Sequence, residues 1–136
     1  MAALTASRNT IERIGPINAF PVKANTTVHQ GSLVVIDAGY AAPGRTATGL
    51  IAAGRAESSA SAVAAGSAQV PVKVGTFKFG NSTAADLVTQ ADVGADCYIV
   101  DDQTVAKTSG GATRSIAGKI IAVDSDGVWV KVGAGL

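Results

Sequence analysis

The 136-residue sequence contains little of the chemistry on which most enzymes and metalloproteins depend. Cys97 is its single cysteine and His29 its single histidine. One cysteine excludes a disulfide within the chain and a cysteine-rich metal cluster. His29 has no neighbouring acidic residue that would orient it as a catalytic base. We therefore expect Cys97 to be a small core residue and His29 a surface residue, and we predict no cofactor, no bound metal and no enzymatic activity.

Charge is also scarce and almost balanced. Eleven basic and ten acidic residues give a net charge of +1, and charged residues make up 15% of the chain, against about 25% in ordinary soluble domains. No basic block is present that would neutralise many phosphates, so nucleic-acid binding is disfavoured. A surface with so little charge suits a chain that buries much of its surface in an assembly.

Long apolar stretches are missing too. No segment approaches the run of about 18 apolar residues that a membrane helix needs. Residues 1–15 lack the continuous apolar region of a secretory signal peptide. We expect synthesis in the cytoplasm and no membrane association.

The residues that are abundant favour β-structure. Val and Ile together outnumber Leu by 25 to 5, and 16 glycines accompany only two glutamates. Branched side chains fit the pleated surface of strands, and glycine favours turns. We predict a mostly β domain over residues 16–136, a small β-barrel or a β-sandwich-like fold. One short helix is expected at about 83–94; within this segment, Thr89 can N-cap the turn 90–93 and Gly94 can end it.

Two segments carry the clearest strand signals in the first part of the chain. The continuous apolar run 33–36 predicts a strand that is covered on both faces. Residues 69–79 alternate between apolar and polar side chains, but the apolar positions change parity at Gly75. A β-bulge at this glycine would produce that change.

A hairpin is predicted near the C-terminus. Residues 116–123 and 128–132 are joined by a turn in which Asp126-Gly127 would supply a positive φ. In the second strand three valines share one face, and Trp129 lies on the other. If the valines face the core, Trp129 is outside and marks a possible contact surface. A tryptophan buried under a loop is the equally weighted alternative.

Two pairs of aspartates, Asp101-Asp102 and Asp124/Asp126, are interpreted as turn residues. Asp124-Ser125-Asp126-Gly127 is similar to the start of a calcium-binding loop, but the downstream glutamate that completes such a loop is missing. A carboxylate-dependent hydrolase that uses Asp101 and Asp124 is the less favoured alternative.

The N-terminal residues 1–15 are interpreted as an extended arm, because Gly15-Pro16 separates them from the β-rich remainder. Apolar positions are spread thinly among polar ones and follow no helical or strand period over the whole stretch. The residues expected to bind a partner are Leu4, Arg8, Ile11, Glu12, Arg13 and Ile14.

Three segments resemble the small head decoration, or cement, proteins of tailed bacteriophages: Val70–Ser82, Thr89–Thr108 and Ala117–Val132. Within the first, Gly-Thr-Phe-Lys-Phe is similar to a strand of lambda-like decoration proteins. The order of motifs is similar to that in structural proteins of Mu-like and related siphophages. The resemblance covers roughly residues 50–132, and the segment SSASAVAAGSA departs from the compact lambda-like pattern.

The resemblance implies a structural role in the virion. A member of this family is a β-rich homotrimer that binds the outside of the capsid at threefold and quasi-threefold positions. Its partners are the major capsid protein and its own copies, and an N-terminal arm commonly adds to the β-structure of the capsid protein. We therefore expect capsid stabilisation at the outer surface of the virion. A binding module associated with a phage tail or fibre is the alternative function.

Overall fold

Strands form most of the regular structure. The computed structural model describes residues 2–13 and 15–133, and no helix or strand includes residues 2–13. The strands, in chain order, are β1 (Ile17–Pro21), β2 (Thr26–Val28), β3 (Leu33–Asp37), β4 (Tyr40–Pro43), β5 (Ile51–Ala56), β6 (Ala60–Ala62), β7 (Gln69–Lys73), β8 (Gly75–Phe79), β9 (Asp96–Ile99), β10 (Val105–Ala106), β11 (Ile116–Asp124) and β12 (Gly127–Val132).

These strands form two five-stranded sheets and one small pair. The first sheet has the order β1-β7-β5-β3-β4, the second has the order β10-β9-β11-β12-β8, and β2 pairs with β6. All the ladders between these strands are antiparallel. The prediction of a mostly β, sandwich-like domain is confirmed. Neither sheet closes into a barrel.

The first sheet is the middle layer of the domain, and β3 shows why. Leu33 and Val35 belong to the core between the two sheets. Val34 faces the opposite core, which the β2–β6 pair covers through residues such as Val28 and Ala62. Leu33, Val34 and Val35 are all fully buried. This arrangement confirms the prediction that the apolar run is covered on both faces, since alternate residues of a strand point to opposite sides.

The parity change at Gly75 has a different cause from the predicted bulge. β7 ends at Lys73 in the first sheet, and β8 begins at Gly75 in the second. The chain therefore passes between layers at Val74, and each half keeps its own inward face. Register shifts do occur elsewhere, between Ile116 and Gly118 and between Ile120 and Ala122.

The predicted short helix at about 83–94 is wrong as one element. The segment contains two single 3-10 turns, Ala84–Asp86 and Gln90–Asp92. Ala84 has a φ of 54°, which a right-handed helix does not allow. The side-chain amide of Asn81 donates to the carbonyl of Val88 at 2.8 Å, and its oxygen accepts from the Val88 N–H at 2.9 Å. These bonds fold the segment as a loop, because side chain–backbone bonds compete with helical ones.

Thr89 occupies the predicted N-cap position of the second 3-10 turn. The Thr89 N–H donates to the Asp92 carboxylate at 2.8 Å, and the Thr89 carbonyl accepts from the Asp92 N–H at 2.9 Å. Gly94 follows with a φ of 93°. Glycine adopts this conformation without the steric cost that a side chain would add.

Candidate functional site

The N-terminal arm, residues 2–13, is exposed at every position. Leu4 is 72% and Ile11 is 91% exposed, so the two apolar side chains contribute nothing to either core. Arg8, Glu12 and Arg13 form no ion pair with another described residue. The arm therefore offers apolar and charged groups that the rest of the chain leaves available. The remaining predicted arm residue, Ile14, lies outside the described residues.

The arm leaves the body beside the crossing between the two sheets. Ile17 pairs with Lys73 at the end of the β1–β7 ladder, and the Val74 N–H donates to the Pro16 carbonyl at 3.0 Å. Gly15 then takes a φ of 108°. Glycine adopts this positive φ without the steric cost that a side chain would add.

β8 is an edge strand of the second sheet, a position that the sequence pattern did not reveal. It pairs with β12 from Gly75 opposite Val132 to Phe79 opposite Val128. Beyond β8, Gly80 donates to the Gln103 carbonyl at 2.7 Å, which brings the two edges of the sheet together at that end. From Gly75 to Phe79, the other side of β8 has no backbone partner among the described residues.

Trp129 lies on the outer face of the second sheet and is half-buried. Its indole N–H donates to the Asp124 carboxylate at 2.7 Å. The Lys78 ammonium lies 5.8 Å from the centre of the ring and binds the Asp126 carboxylate at 2.9 and 3.0 Å. That hydrogen bond holds the pKa of Asp126 below its usual range. The side chains fix the orientation of the indole against the hairpin, and part of the ring remains accessible.

The carboxylates of the hydrolase alternative do not come together. β9 and β11 are antiparallel, with Tyr98 opposite Ile116 and Asp96 opposite Lys119. Asp101 follows β9 and therefore lies near the start of β11, whereas Asp124 is the last residue of β11. Nine residues of strand span about 26 Å, whereas paired catalytic carboxylates lie within about 10 Å.

Each carboxylate instead has a local partner. Asp101 accepts a hydrogen bond from the Gln103 N–H at 2.9 Å within its turn. Asp124 binds Trp129. Both contacts stabilise turns, which agrees with the interpretation of the acidic pairs from the sequence.

A shallow groove of about 620 Å³ lies between the start of β5 and strands β9 and β11. Ile51 and Ile116 line it and are 59% and 49% exposed. Arg114 lies at its margin, bound to the Asp86 carboxylate at 3.2 Å and to the Thr108 carbonyl at 3.1 Å. Because β5 and β11 are far apart in the sequence, no local pattern predicted that their isoleucines would share a surface.

Chemically reactive groups are few in the described chain. Cys97 is buried, and burial raises the pKa of its thiol to about 12. No group of three or more His, Cys, Asp and Glu side chains within residues 2–13 and 15–133 is placed to hold a metal ion. In the same residues, no helix is long and apolar enough to cross a membrane.

No family model matches this sequence, and no curated protein or solved structure was found to be similar to it. Sandwich-like β domains carry many unrelated functions. The function must therefore be argued from the arm and from the exposed surfaces of the body.

Proposed function

We propose that this chain is a structural virion protein that binds the outer surface of a phage capsid as a homotrimer and stabilises the shell of the major capsid protein. The observation that carries the proposal is the arm, residues 2–13, which is exposed throughout beside a folded β body. The motifs that resemble decoration proteins support the same function. In this proposal the chain has no enzymatic role.

The arm is suited to ordering on a partner. Fixing one residue of backbone costs about 1–2 kcal/mol, and the arm makes no contact with either core of its own body. An exposed strand edge of the capsid protein would offer backbone hydrogen bonds along the arm, which is the β-augmentation mode of recognition. Leu4 and Ile11 would enter apolar sites, while Arg8, Glu12 and Arg13 would set the register by charge.

Trimerisation would strengthen a weak contact of this kind. Three linked arms convert the second and third binding events into intramolecular ones, so avidity adds to the affinity of a single arm. The exposed side chains of Ile51 and Ile116 supply apolar surface that an assembly would bury. Trp129 adds an accessible aromatic group on the outer face, which supports a role as a contact surface.

Deleting residues 2–14 tests the arm. The truncated chain should keep its β body, because the described arm lies outside both cores, and it should lose most of its binding to undecorated capsids of the phage that encodes it. Co-sedimentation measures binding, and a melting curve measures folding. Full-strength binding by the truncated chain would assign the contact to the body, and loss of folding would place the arm in the core.

A matched pair of point variants sharpens this test. Leu4→Asp should weaken capsid binding by about 10- to 100-fold, because burial of a leucine side chain contributes about 1.5–3 kcal/mol. Thr5→Asp introduces the same charge at the next position, where no apolar side chain is lost, and should weaken binding much less. Equal effects would mean that the added charge, not the leucine, matters.

Copy number separates capsid decoration from the tail or fibre alternative. Quantitative mass spectrometry and cryo-EM of the virion should find hundreds of copies on the outer capsid surface. A few copies at the tail would replace the proposal with a tail- or fibre-associated binding module.

A further inference from the structure

The free side of β8 is a row of unpaired backbone groups that the proposed capsid binding does not use. Five residues, Gly75–Phe79, have backbone partners on the β12 side only, within the described part of the chain. Natural proteins usually protect such an edge with a charge, a proline or a covering segment. β8 contains one charged residue, Lys78, and Asp126 in the β11–β12 turn binds its ammonium on the side away from the free edge. The edge therefore remains open to strand addition.

We propose that the free edge of β8 accepts residues 9–13 from the arm of a second copy of this chain as an added antiparallel strand. The proposal rests on the self-association part of the proposed function. It explains how copies join and does not require the capsid.

Side-chain alternation specifies the faces of the added strand. On β8, Phe77 and Phe79 point inward and pack against the core between the sheets, whereas Lys78 points outward. On the arm, Ile11 and Glu12 must point to opposite faces, because strand side chains alternate. An antiparallel register with Ile11 opposite Phe79 places Glu12 opposite Lys78. This register covers a side chain that is 91% exposed in the single chain and adds an opposite-charge pair across the strands.

The same register places Arg13 opposite Phe77. Arg55 already lies 4.3 Å from the centre of the Phe77 ring in the single chain. The Arg13 guanidinium of the second copy would approach the Phe77 ring from the free edge, and this contact would be favourable because cations are attracted to aromatic faces.

In the single chain, the described arm is not paired with its own β8. Pairing with its own β8 would require the arm to continue the β1–β7 ladder past Pro16 in an extended conformation. Gly15 instead has a φ of 108°, and residues 2–13 lie outside every strand. Because the arm of each copy would meet a different surface on the next, the contact is heterologous, and such contacts close into rings when the rotation fits.

The alternation also divides the arm between two partners. In one continuous strand, Leu4 and Ile11 lie on opposite faces because seven positions separate them. Residues 9–13 would join the neighbouring copy, and residues 2–8, with Leu4 and Arg8, would remain for the capsid. The contact between copies therefore leaves only residues 2–8 of the arm to bind the capsid.

Cysteine cross-linking tests the proposed register. In Glu12→Cys/Lys78→Cys the two thiols would be directly opposite, within the range of about 4.5–5.5 Å between Cβ atoms of paired residues. Mild oxidation should give disulfide-linked species of two and three chains on non-reducing gels, and dithiothreitol should remove them. Arg13→Cys/Lys78→Cys is the matched control, because its thiols would point to opposite faces and should cross-link at least fivefold less. Each single-cysteine variant controls for the native Cys97, and circular dichroism checks that the variants fold.

Each outcome decides a separate point. Equal cross-linking of the two pairs, or cross-links within single chains only, would overturn the proposed strand addition. The wild-type protein could be trimeric by light scattering while Glu12→Cys/Lys78→Cys gives no cross-link. That result would also overturn the strand addition, but the proposed capsid decoration would stand. Cross-linked trimers that fail to bind capsids would support the strand addition and overturn the capsid function.

A second variant tests the pairing without introduced thiols. Ile11→Asp removes the apolar side chain that would lie beside Phe79 and should reduce the trimer fraction at least tenfold at a given concentration. Leu4→Asp, which changes the capsid-facing part, should leave that fraction unchanged. Equal trimer fractions for wild type and Ile11→Asp would contradict the proposal.

Discussion

The indole N–H of Trp129 and the carboxylate of Asp124 are joined by a 2.7 Å hydrogen bond across the β11–β12 hairpin. Asp124 ends one strand, and Trp129 is the third residue of the next. The bond holds the single tryptophan against the turn and keeps the indole N–H partnered at a half-buried position. An aspartate that the sequence offered as a turn residue or a hydrolase candidate thus orients the aromatic side chain on the outer face.

Replacing Asp124 with alanine should loosen Trp129. The tryptophan emission maximum should shift to longer wavelength, because the indole N–H would turn toward water, and the unfolding free energy should fall by about 1 kcal/mol. Fluorescence and urea denaturation measure the two effects. Asp126→Ala removes a neighbouring carboxylate that binds Lys78 and makes no hydrogen bond to the indole, so it should shift the emission maximum much less. A shift of equal size in both variants would contradict the role of the hydrogen bond.

Replacing Ser115 with alanine should destabilise the domain. The buried Ser115 hydroxyl donates to the Ala47 carbonyl at 2.7 Å and accepts from the Leu50 N–H at 3.1 Å, so it joins the loop before β5 to the start of β11. Without it, buried backbone groups lose their partner, at a cost of about 1–3 kcal/mol. Urea denaturation measures this cost. Ser125→Ala, in the exposed hairpin turn, should change stability by less than about 0.5 kcal/mol, and a similar loss in both variants would refute the argument.

Replacing Gly118 with alanine should be among the more disruptive single-methyl additions. A Cβ at this position would overlap the carbonyl oxygen of Lys131 and lie 3.1 Å from a Val130 methyl group. Adjustment of the β11–β12 ladder should cost about 3 kcal/mol or more. Gly49→Ala is the control, because nothing lies within 4 Å of its Cβ and only its φ of 75° opposes the change, at about 1–2 kcal/mol. Equal losses would show that the close approach at Gly118 relaxes freely.

The stabilising effect of Asp37 should disappear in acid. Hydrogen bonds from Lys23, and next from Arg45, lower the pKa of this carboxyl below 3.8. A group whose pKa is lower in the folded state stabilises the fold above the unfolded pKa and loses this effect as the pH falls through the folded pKa. Asp37→Asn should therefore lower Tm by roughly 2–5 °C at pH 7, and the difference from wild type should shrink as the pH falls below 3.8. A difference that stays constant with pH would contradict this origin.

Local sequence patterns predicted several strands because their causes are local. The apolar run 33–36 became β3, and the alternation after Gly127 became β12 with its valines buried. A period of two places alternate residues on opposite faces whatever surrounds the strand. The predicted cap at Thr89 was equally local, since its partner Asp92 lies three residues away.

Other predictions were wrong where a distant contact decides the structure. The sequence pattern did not predict β4, which forms because the turn at Ala38-Gly39 returns the chain along β3. It did not predict β6 either, which lies within the segment SSASAVAAGSA and pairs with β2. Gly127 was expected to supply a positive φ, but its φ is not positive. A Cβ there would lie 2.7 Å from the Lys78 Cγ, so the glycine permits the approach of β8.

The sequence by itself determined a mostly β chain with an N-terminal segment set apart by Gly15-Pro16, because composition, alternation and turn residues act over a few positions. Only the tertiary structure decided that β8 is an edge strand, that Ile51 and Ile116 share a groove, and that Asp101 and Asp124 lie at opposite ends of a strand pair. Strand order depends on which distant segments bury each other's apolar faces. That choice is made by the whole core, and no short stretch of sequence contains it.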